Sequence, residues 1–355
     1  MPAQFFKKLA VVSPLLLLGL AGCATAPEEK VSLLEQVRSR GELRCGISGR
    51  LPGFSYLTTE GTYTGLDTDI CRAVAAATLG NPDKVDYTQL TAAQRFTALS
   101  SGEIDLLSRN TTQTLSRDSG GGNGLTFAPV VFYDGQGVLV RKDSGVTTLE
   151  GLEGESFCVG GGTTTERNLN DVMQARGIPF EPVKFETPQE REQAYLDGRC
   201  AAITADRSSL NSSRSGFEAP DEHVILDEGL SKEPLAPATV DGDDQWADAV
   251  RWIVYGLMSA EEQGITQDNI DERVASATSG ADQENAALRR FLGIEGDLGG
   301  KLGLPNDFVV QAVRAVGNYG EIYNRHLGPD TATFIPRGLN AIYTEGGLHY
   351  APPFN

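Results

Sequence analysis

Ser108 to Asp118, SRNTTQTLSRD, packs five hydroxyls, an Asn, a Gln and two arginines into eleven residues directly after the apolar run IDLL. A guanidinium such as that of Arg117 binds a carboxylate through two parallel hydrogen bonds, which fixes orientation as well as charge. Hydroxyls and main-chain N–H groups around Asn110 and Thr112 add donors for the same anion. A second polar stretch, GGGTTTE, contains Thr164 and reads as a turn opening a helix. Free N–H groups and the helix dipole favour an anion there too. Asp206, at the end of CAAITAD, is the acceptor that an ammonium group wants. Carboxylate and ammonium on one carbon describe an α-amino acid, so these residue types suit the binding of a small zwitterion.

Elements of the right kind must bring these groups together. LLEQVRSRGELRCGIS reads as a helix, a Gly turn and a first strand at Leu43 to Ile47. GTYTGLDTDICRAVAAATLG supplies a turn and a helix with Ile70, Val74 and Ala77 on one face and Gly80 at its end. A capping box, Thr91-x-x-Gln94, opens AAQRFTALSSG, and EIDLL follows as a short apolar strand of the kind buried on both faces of a parallel sheet. The pattern recurs: TLEGLEGESFCVGGGTTTERNLNDVM gives strand, turn and helix, and Thr187-Pro-Gln-Glu190 is another capping box with Pro at the first helical position. Thr91 to Gly102 and Thr187 to Gly198 both span 11 residues; Gly102 to Asn110 and Gly198 to Asp206 both span eight. This matched spacing predicts two related α/β lobes, each a mainly parallel sheet flanked by helices. Ligands of open α/β sheets bind beyond the carboxyl ends of the strands, so lobes facing each other would bring all three polar stretches into one cleft.

The chain has 355 residues, 40% apolar and 22% charged, a composition that fits a globular protein of two lobes. Its net charge of −18 argues against a nucleic-acid partner, because phosphate contact needs Lys and Arg in excess. At the N-terminus, Lys7 and Lys8 precede LAVVSPLLLLGLAGC, an apolar run too short for a stable membrane span and of signal-peptide form. LAGC resembles the bacterial lipoprotein box, which implies a lipidated, palmitate-bearing Cys23 as the first mature residue; an ordinary signal with an incidental Cys is the alternative. Residues 1–22 would then be a signal peptide and 23–32 a lipidated tether, and losing two lysines would bring the charge to −20. Four further cysteines, Cys45, Cys71, Cys158 and Cys200, suggest disulfides in an exported chain. Three connectivities are open, of which Cys45–Cys71 with Cys158–Cys200 is favoured because each bond closes within one lobe. The three His are far apart in sequence and there is no Cys-x-x-Cys, so neither a metal nor another cofactor is expected.

From Leu33 to Asn355 the chain resembles the periplasmic solute-binding subunits of polar and general L-amino-acid ABC transporters. GISGRLPGFSYLTTEGTYTGLDTDICRAVAAA, RFTALSSGEIDLLSRNTTQTLSRD, FAPVVFYDGQGVLVRK, CVGGGTTTERNL, SKEPLAP and GDDQWADAVRWIVYGL carry the likeness in order. GNYGEIYNRHLG and RGLNAIYTEGGLHYAPPF resemble the longer, general-amino-acid branch. The resemblance implies a two-lobed periplasmic-binding-protein fold of type II that closes on its ligand. Lobe 1 would comprise 33–135 and 235–355, lobe 2 would comprise 136–234, and the crossings would lie near Tyr133–Val138 and Glu228–Pro234. It further implies that Arg117 takes the ligand carboxylate with Asn110, Thr112 and Thr164, and that Asp206 takes the ammonium. Where the family often has an Asp and an aromatic, this chain has Ser48 and Leu51, with Phe54 nearby as a candidate contact. Arg50 is expected to bias the pocket toward acidic or polar side chains, unless it is a solvated rim charge. The implied partners are an L-amino acid and the permease subunits of an ABC transporter, with the membrane reached through the lipid anchor alone and the chain monomeric.

Two other functions use the same scaffold. A periplasmic enzyme, such as a cyclohexadienyl dehydratase, would need a poised acid or base in the cleft, for which Glu166 is a candidate. A ligand-sensing subunit would need a separate signalling partner. The sequons NTT and NSS are not expected to be glycosylated behind a bacterial lipoprotein box, and the roughly 90 residues after Gly264 read as packing on lobe 1, over the hinge.

Overall fold

The computed structural model describes Met1 and residues 31–355; the leader and Cys23 lie outside the described residues. Two five-stranded sheets share one plan. In lobe 1, Val85–Gln89, Leu43–Ile47 and Leu106–Leu107 run parallel, followed by the antiparallel strand Ala238–Val240 and the edge strand Leu125–Phe127. In lobe 2, Glu181–Phe185, Ser156–Gly160 and Ala202–Asp206 run parallel, followed by antiparallel Gln136–Arg141 and the edge strand His223–Ile225. The antiparallel strand of each lobe is the one that arrives from the other lobe. Between the lobes, Phe132–Asp134 pairs antiparallel with Glu233–Leu235, so the two crossings form a single two-stranded ribbon.

Burial explains the sheets. Leu106 and Leu107 are inaccessible, as suits a strand covered on both faces. In lobe 1 the helix Leu66–Leu79 turns Ile70, Val74 and Ala77 inward and ends on Gly80 in the left-handed conformation, which glycine adopts without steric cost. Cys45 is bonded to Cys71, joining the first strand to this helix, and Cys158 is bonded to Cys200, joining the strand Ser156–Gly160 to the turn that precedes Ala202–Asp206. The second capping box forms in full: Thr187 and Glu190 satisfy each other's backbone N–H at the start of Pro188–Leu196. The first forms by half. Gln94 accepts from the Thr91 N–H at 3.1 Å, but the helix begins only at Arg95 and the Thr91 hydroxyl caps nothing.

The C-terminal extension adds helices Ile270–Ser279, Ala286–Phe291, Phe308–Val316 and Tyr319–Leu327 to the lobe 1 core. Asp69 fixes it through Arg325 and through His326 Nε2 at 2.7 Å, and Glu261 holds Arg337 at 2.6 Å. Farther on, Asn340 brackets the first crossing, accepting from Tyr133 N–H at 2.6 Å and donating to Tyr133 O at 3.2 Å. The extension therefore reaches the hinge as well as lobe 1. No helix among the described residues is long and apolar enough to cross a membrane.

Candidate functional site

The lobes close on each other at the carboxyl ends of their strands. Gln189 Nε2 donates to Arg50 O at 3.0 Å, and Ser212 Oγ donates to Pro52 O at 2.9 Å. Between them lies a cavity of about 70 Å³, room for several waters and hence for a small ligand.

Each wall is built at a strand end. In lobe 1 the chain leaves Leu107 through Asn110, which at φ 30° is the one non-glycine with positive φ among the described residues. Asn tolerates this region better than most residues. Asp67, in the first turn of Leu66–Leu79, holds the bend by accepting from the Asn110 N–H at 3.1 Å. Burial pushes the Asp67 carboxyl up to about 7 against the opposing pull of that N–H and of Arg109. In lobe 2, Ala202–Asp206 passes directly into the helix Arg207–Ser215, yet Asp206 makes no capping bond and its carboxylate is left to the cleft. Asn110 Nδ2 reaches Asp206 Oδ2 at 3.5 Å, so the two positions with equal spacing in the sequence meet across the gap.

Three guanidiniums, Arg95, Arg109 and Arg191, line the same cavity as Asp206. Arg109 is anchored by donating from Nε to Leu90 O at 2.8 Å. Arg95 Nε and Arg191 Nε and Nη2 are buried without a hydrogen-bond partner; Glu192 approaches Arg191 Nη2 only to 3.8 Å. Burial lowers the pKa of all three, of Arg109 to about 10, and neighbouring guanidiniums lower Arg95 further. Burial, together with Asp134 and Glu233, pushes Asp206 well above the usual carboxylate range, against the pull of Arg95 and Arg191. Buried guanidinium nitrogens left without a hydrogen bond mark a place for an anion or another acceptor.

Of the residues chosen from sequence, Ser48, Asn110, Thr112, Thr164 and Asp206 line this cavity. Arg117 stands in the interlobe gap but beside a neighbouring cavity with Gly162, Thr163 and Glu166; its Nη1 donates to Thr112 O at 2.7 Å and it lies over the Phe96 ring. Arg50 is exposed and lines an outer cavity of about 190 Å³ that also touches Ser48 and Arg109. Phe54, expected near the ligand, lies instead in the lobe 1 core with its ring edge-on to Phe132 at 5.1 Å; a ring following a tight turn gains more from burial than from the polar cleft. Thr163, not Thr164, caps the helix Thr164–Arg176. Glu166 is held by Lys184 at 2.5 Å and by the Gly162 N–H, which together outweigh burial and keep its carboxyl below the usual range. His223, His326 and His349 bond to Tyr195, Asp69 and Tyr319, and none lines the cavity.

Arg95 and Arg191 escaped the sequence reading, although the repeat that pairs Asn110 with Asp206 also pairs them: each lies four residues past the Thr of its capping box. Applying the spacing to every residue of the box helices would have found both.

A two-lobed binding protein with a small, charged cleft is the class this fold and site define. The chain belongs to the bacterial extracellular solute-binding proteins, family 3, whose profile matches residues 43–329. The general L-amino acid-binding periplasmic protein AapJ of Rhizobium johnstonii is 47% identical over 92% of this chain and 94% of its own length. The glutamate/glutamine/aspartate/asparagine-binding protein BztA of Rhodobacter capsulatus is 46% identical over 94% of this chain and 95% of its own. A solved periplasmic binding protein from Brucella ovis, with glutathione bound, superposes with a TM-score of 0.86 at 44% identity, covering 92% of this chain and 100% of that one.

Proposed function

We propose that the protein captures L-amino acids outside the cytoplasm and delivers them to an ABC permease, with a preference for ligands carrying a second acidic or amide group. The observation that carries this reading is the buried Asp206 carboxylate sharing one cavity with Arg95 and Arg191, whose guanidiniums keep nitrogens without a hydrogen-bond partner. Asp206 takes the ammonium. Arg117, at the edge of the gap beside the first turn of Thr164–Arg176, takes the α-carboxylate together with the Asn110 amide and the main-chain N–H groups of Thr112 and Thr164, whose hydroxyl protons go to Glu233. Arg95 and Arg191 then receive the side-chain carboxylate or amide oxygen, and Ser48 and Arg50 border its outer end. Leu51 supplies an apolar contact in the place the family often gives to an aromatic. The names of the Rhizobium and Rhodobacter relatives support this ligand class. Glutathione, the ligand of the Brucella protein, carries both an α-amino acid zwitterion and a further carboxylate.

A single chain supplies both walls of the cleft, which supports a monomer as the binding unit. Glu166, the acid considered for catalysis, is held by Lys184 and the Gly162 N–H beside a neighbouring cavity, and the reading is transport, not catalysis. Cys23 carries the lipid that tethers the mature chain to the membrane; Cys23→Ser should release it to the soluble fraction, and unchanged fractionation would remove the anchor. The central test is a thermal-shift screen of the lipid-free protein against the twenty amino acids and glutathione, since a true ligand raises the melting temperature. Glutamate, aspartate and their amides should give the largest shifts. No shift with any of them would overturn the proposal.

A further inference from the structure

Glu233 lies on the returning crossing and is 1% exposed, yet its carboxylate reaches both lobes. Oε2 accepts from the Thr112 hydroxyl of lobe 1 at 2.6 Å and from the Thr164 hydroxyl of lobe 2 at 2.9 Å. Oε1 accepts from Asn168 Nδ2 of the same lobe 2 helix at 2.8 Å and from Ser231 Oγ at 2.5 Å. Four donors saturate it. The backbone holds the arrangement in place: Gln113 N–H donates to Pro234 O at 2.8 Å and Ala236 N–H to Thr111 O at 3.0 Å, which clamps the first-lobe corner onto the crossing.

Two consequences follow from hydrogen-bond chemistry. A hydroxyl carries one proton, so a Thr that donates to Glu233 turns only lone pairs toward the cavity both Thr side chains line. Glu233 thereby decides the polarity of that wall, although it does not line the cavity itself. Second, Thr112 Oγ1 and Thr164 Oγ1 are 3.4 Å apart only because the lobes are closed; parting them breaks at least one bond to a buried carboxylate. Charge-assisted bonds to a desolvated carboxylate are among the stronger ones available.

We propose that Glu233 is a positioning residue that latches the closed form of the lobes and sets the orientation of the Thr112 and Thr164 hydroxyls toward the ligand. The proposal rests on the reading that the ligand occupies this cleft. Because the latch joins groups of the protein alone, it favours closure with or without ligand. The returning crossing thus senses closure through a side chain rather than by bending passively.

Glu233→Gln keeps the shape but puts an NH₂ donor where two of the four donors now point. X-ray scattering of the unliganded variant should give a larger radius of gyration than the unliganded wild type, while both contract to the same radius with saturating glutamate. Calorimetry should show a loss of glutamate affinity of roughly tenfold. Thr164→Val, which removes the lobe 2 donor, should open the unliganded protein in the same way, and the double variant should lose less than the sum of the two. If Glu233→Gln fails to fold, the Thr164→Val scattering carries the test. Unliganded radii and affinity unchanged from wild type in the folded variants would overturn the latch. Failure of the amino-acid reading would be separate and visible in the wild type, as the absence of heat with any amino acid.

Discussion

The two lobes offer the cleft equivalent positions and fill them differently. Arg95 and Arg191 follow the Thr of each capping box by the same four residues, and both face the cavity. Asn110 and Asp206 end equivalent strands and meet at 3.5 Å. Around this shared frame, lobe 1 adds cations, Arg109 and Arg117, whereas lobe 2 adds the carboxylates of Asp206 and Glu186 and a full helix start. Its corner is strained at Asn110 and supported by Asp67, while the lobe 2 corner runs straight from strand to helix. Duplicated geometry with divergent charge suits the asymmetric ligand proposed above: both jaws would offer a guanidinium to its anionic ends, and lobe 2 would offer the Asp206 carboxylate to its ammonium.

The sharpest way to break this comparison is Asp206→Ala. Removing one partner of a buried charge pair costs about 2–5 kcal/mol, so calorimetry should show affinity falling by roughly 30-fold or more for every amino acid. On the other jaw, Arg117→Ala should lose a similar amount across all amino acids, at the lower end of that range. Near-normal binding would remove Arg117 from the ligand. The equivalent arginines should instead discriminate: Arg191→Met is expected to weaken glutamate by about tenfold or more and alanine by much less, because only a side-chain anion uses a charge-assisted bond there. Equal losses for glutamate and alanine would place Arg191 at the zwitterion.

Acidity should separate binding from folding. Asp134 is pushed up to about 6, chiefly by burial with a contribution from Glu233, and Asp206 is raised well above its ordinary value. Both therefore hold protons more tightly in the folded chain than in the unfolded one. The contribution of Asp134 to the stability of the unliganded protein should rise as pH falls through about 6, because the folded state then takes up more protons. Ligand affinity should fall as pH is lowered and Asp206 takes up its proton, since a protonated Asp206 cannot pair with ammonium. Thermal melts and calorimetry between about pH 5 and 8 check both trends, and Asp206→Asn should flatten the affinity profile. The smallest effect concerns the caps. Thr187→Ala should cost about 1 kcal/mol of stability by denaturant titration, and Thr91→Ala clearly less, because only the first of these hydroxyls caps its helix.

Much of the frame was legible in the sequence because local rules govern it. The first strand, the helix ending at Gly80 and the Thr187 capping box follow from apolar period, glycine position and cap chemistry within a few residues. The pairing of the cysteines was one of three possibilities on the page, and the lobes single out one. Phe54 and Arg117 show where such rules stop. A Phe two residues past a proline could face the cleft or the core, and only the ring of Phe132 on the first crossing decides for the core.

By itself, the sequence determined two α/β lobes, their equivalent strand ends and the polar residues Asn110, Thr112, Thr164 and Asp206, which the structure brings to one cavity. Only the tertiary structure decided that Arg95 and Arg191 face one cavity, that Arg117 stands beside another, and that Glu233 claims the protons of two hydroxyls. The physical reason is range. Backbone form is settled by neighbours a few residues away, whereas a buried side chain takes whichever partner the fold delivers, and Thr112 and Glu233 are 121 residues apart.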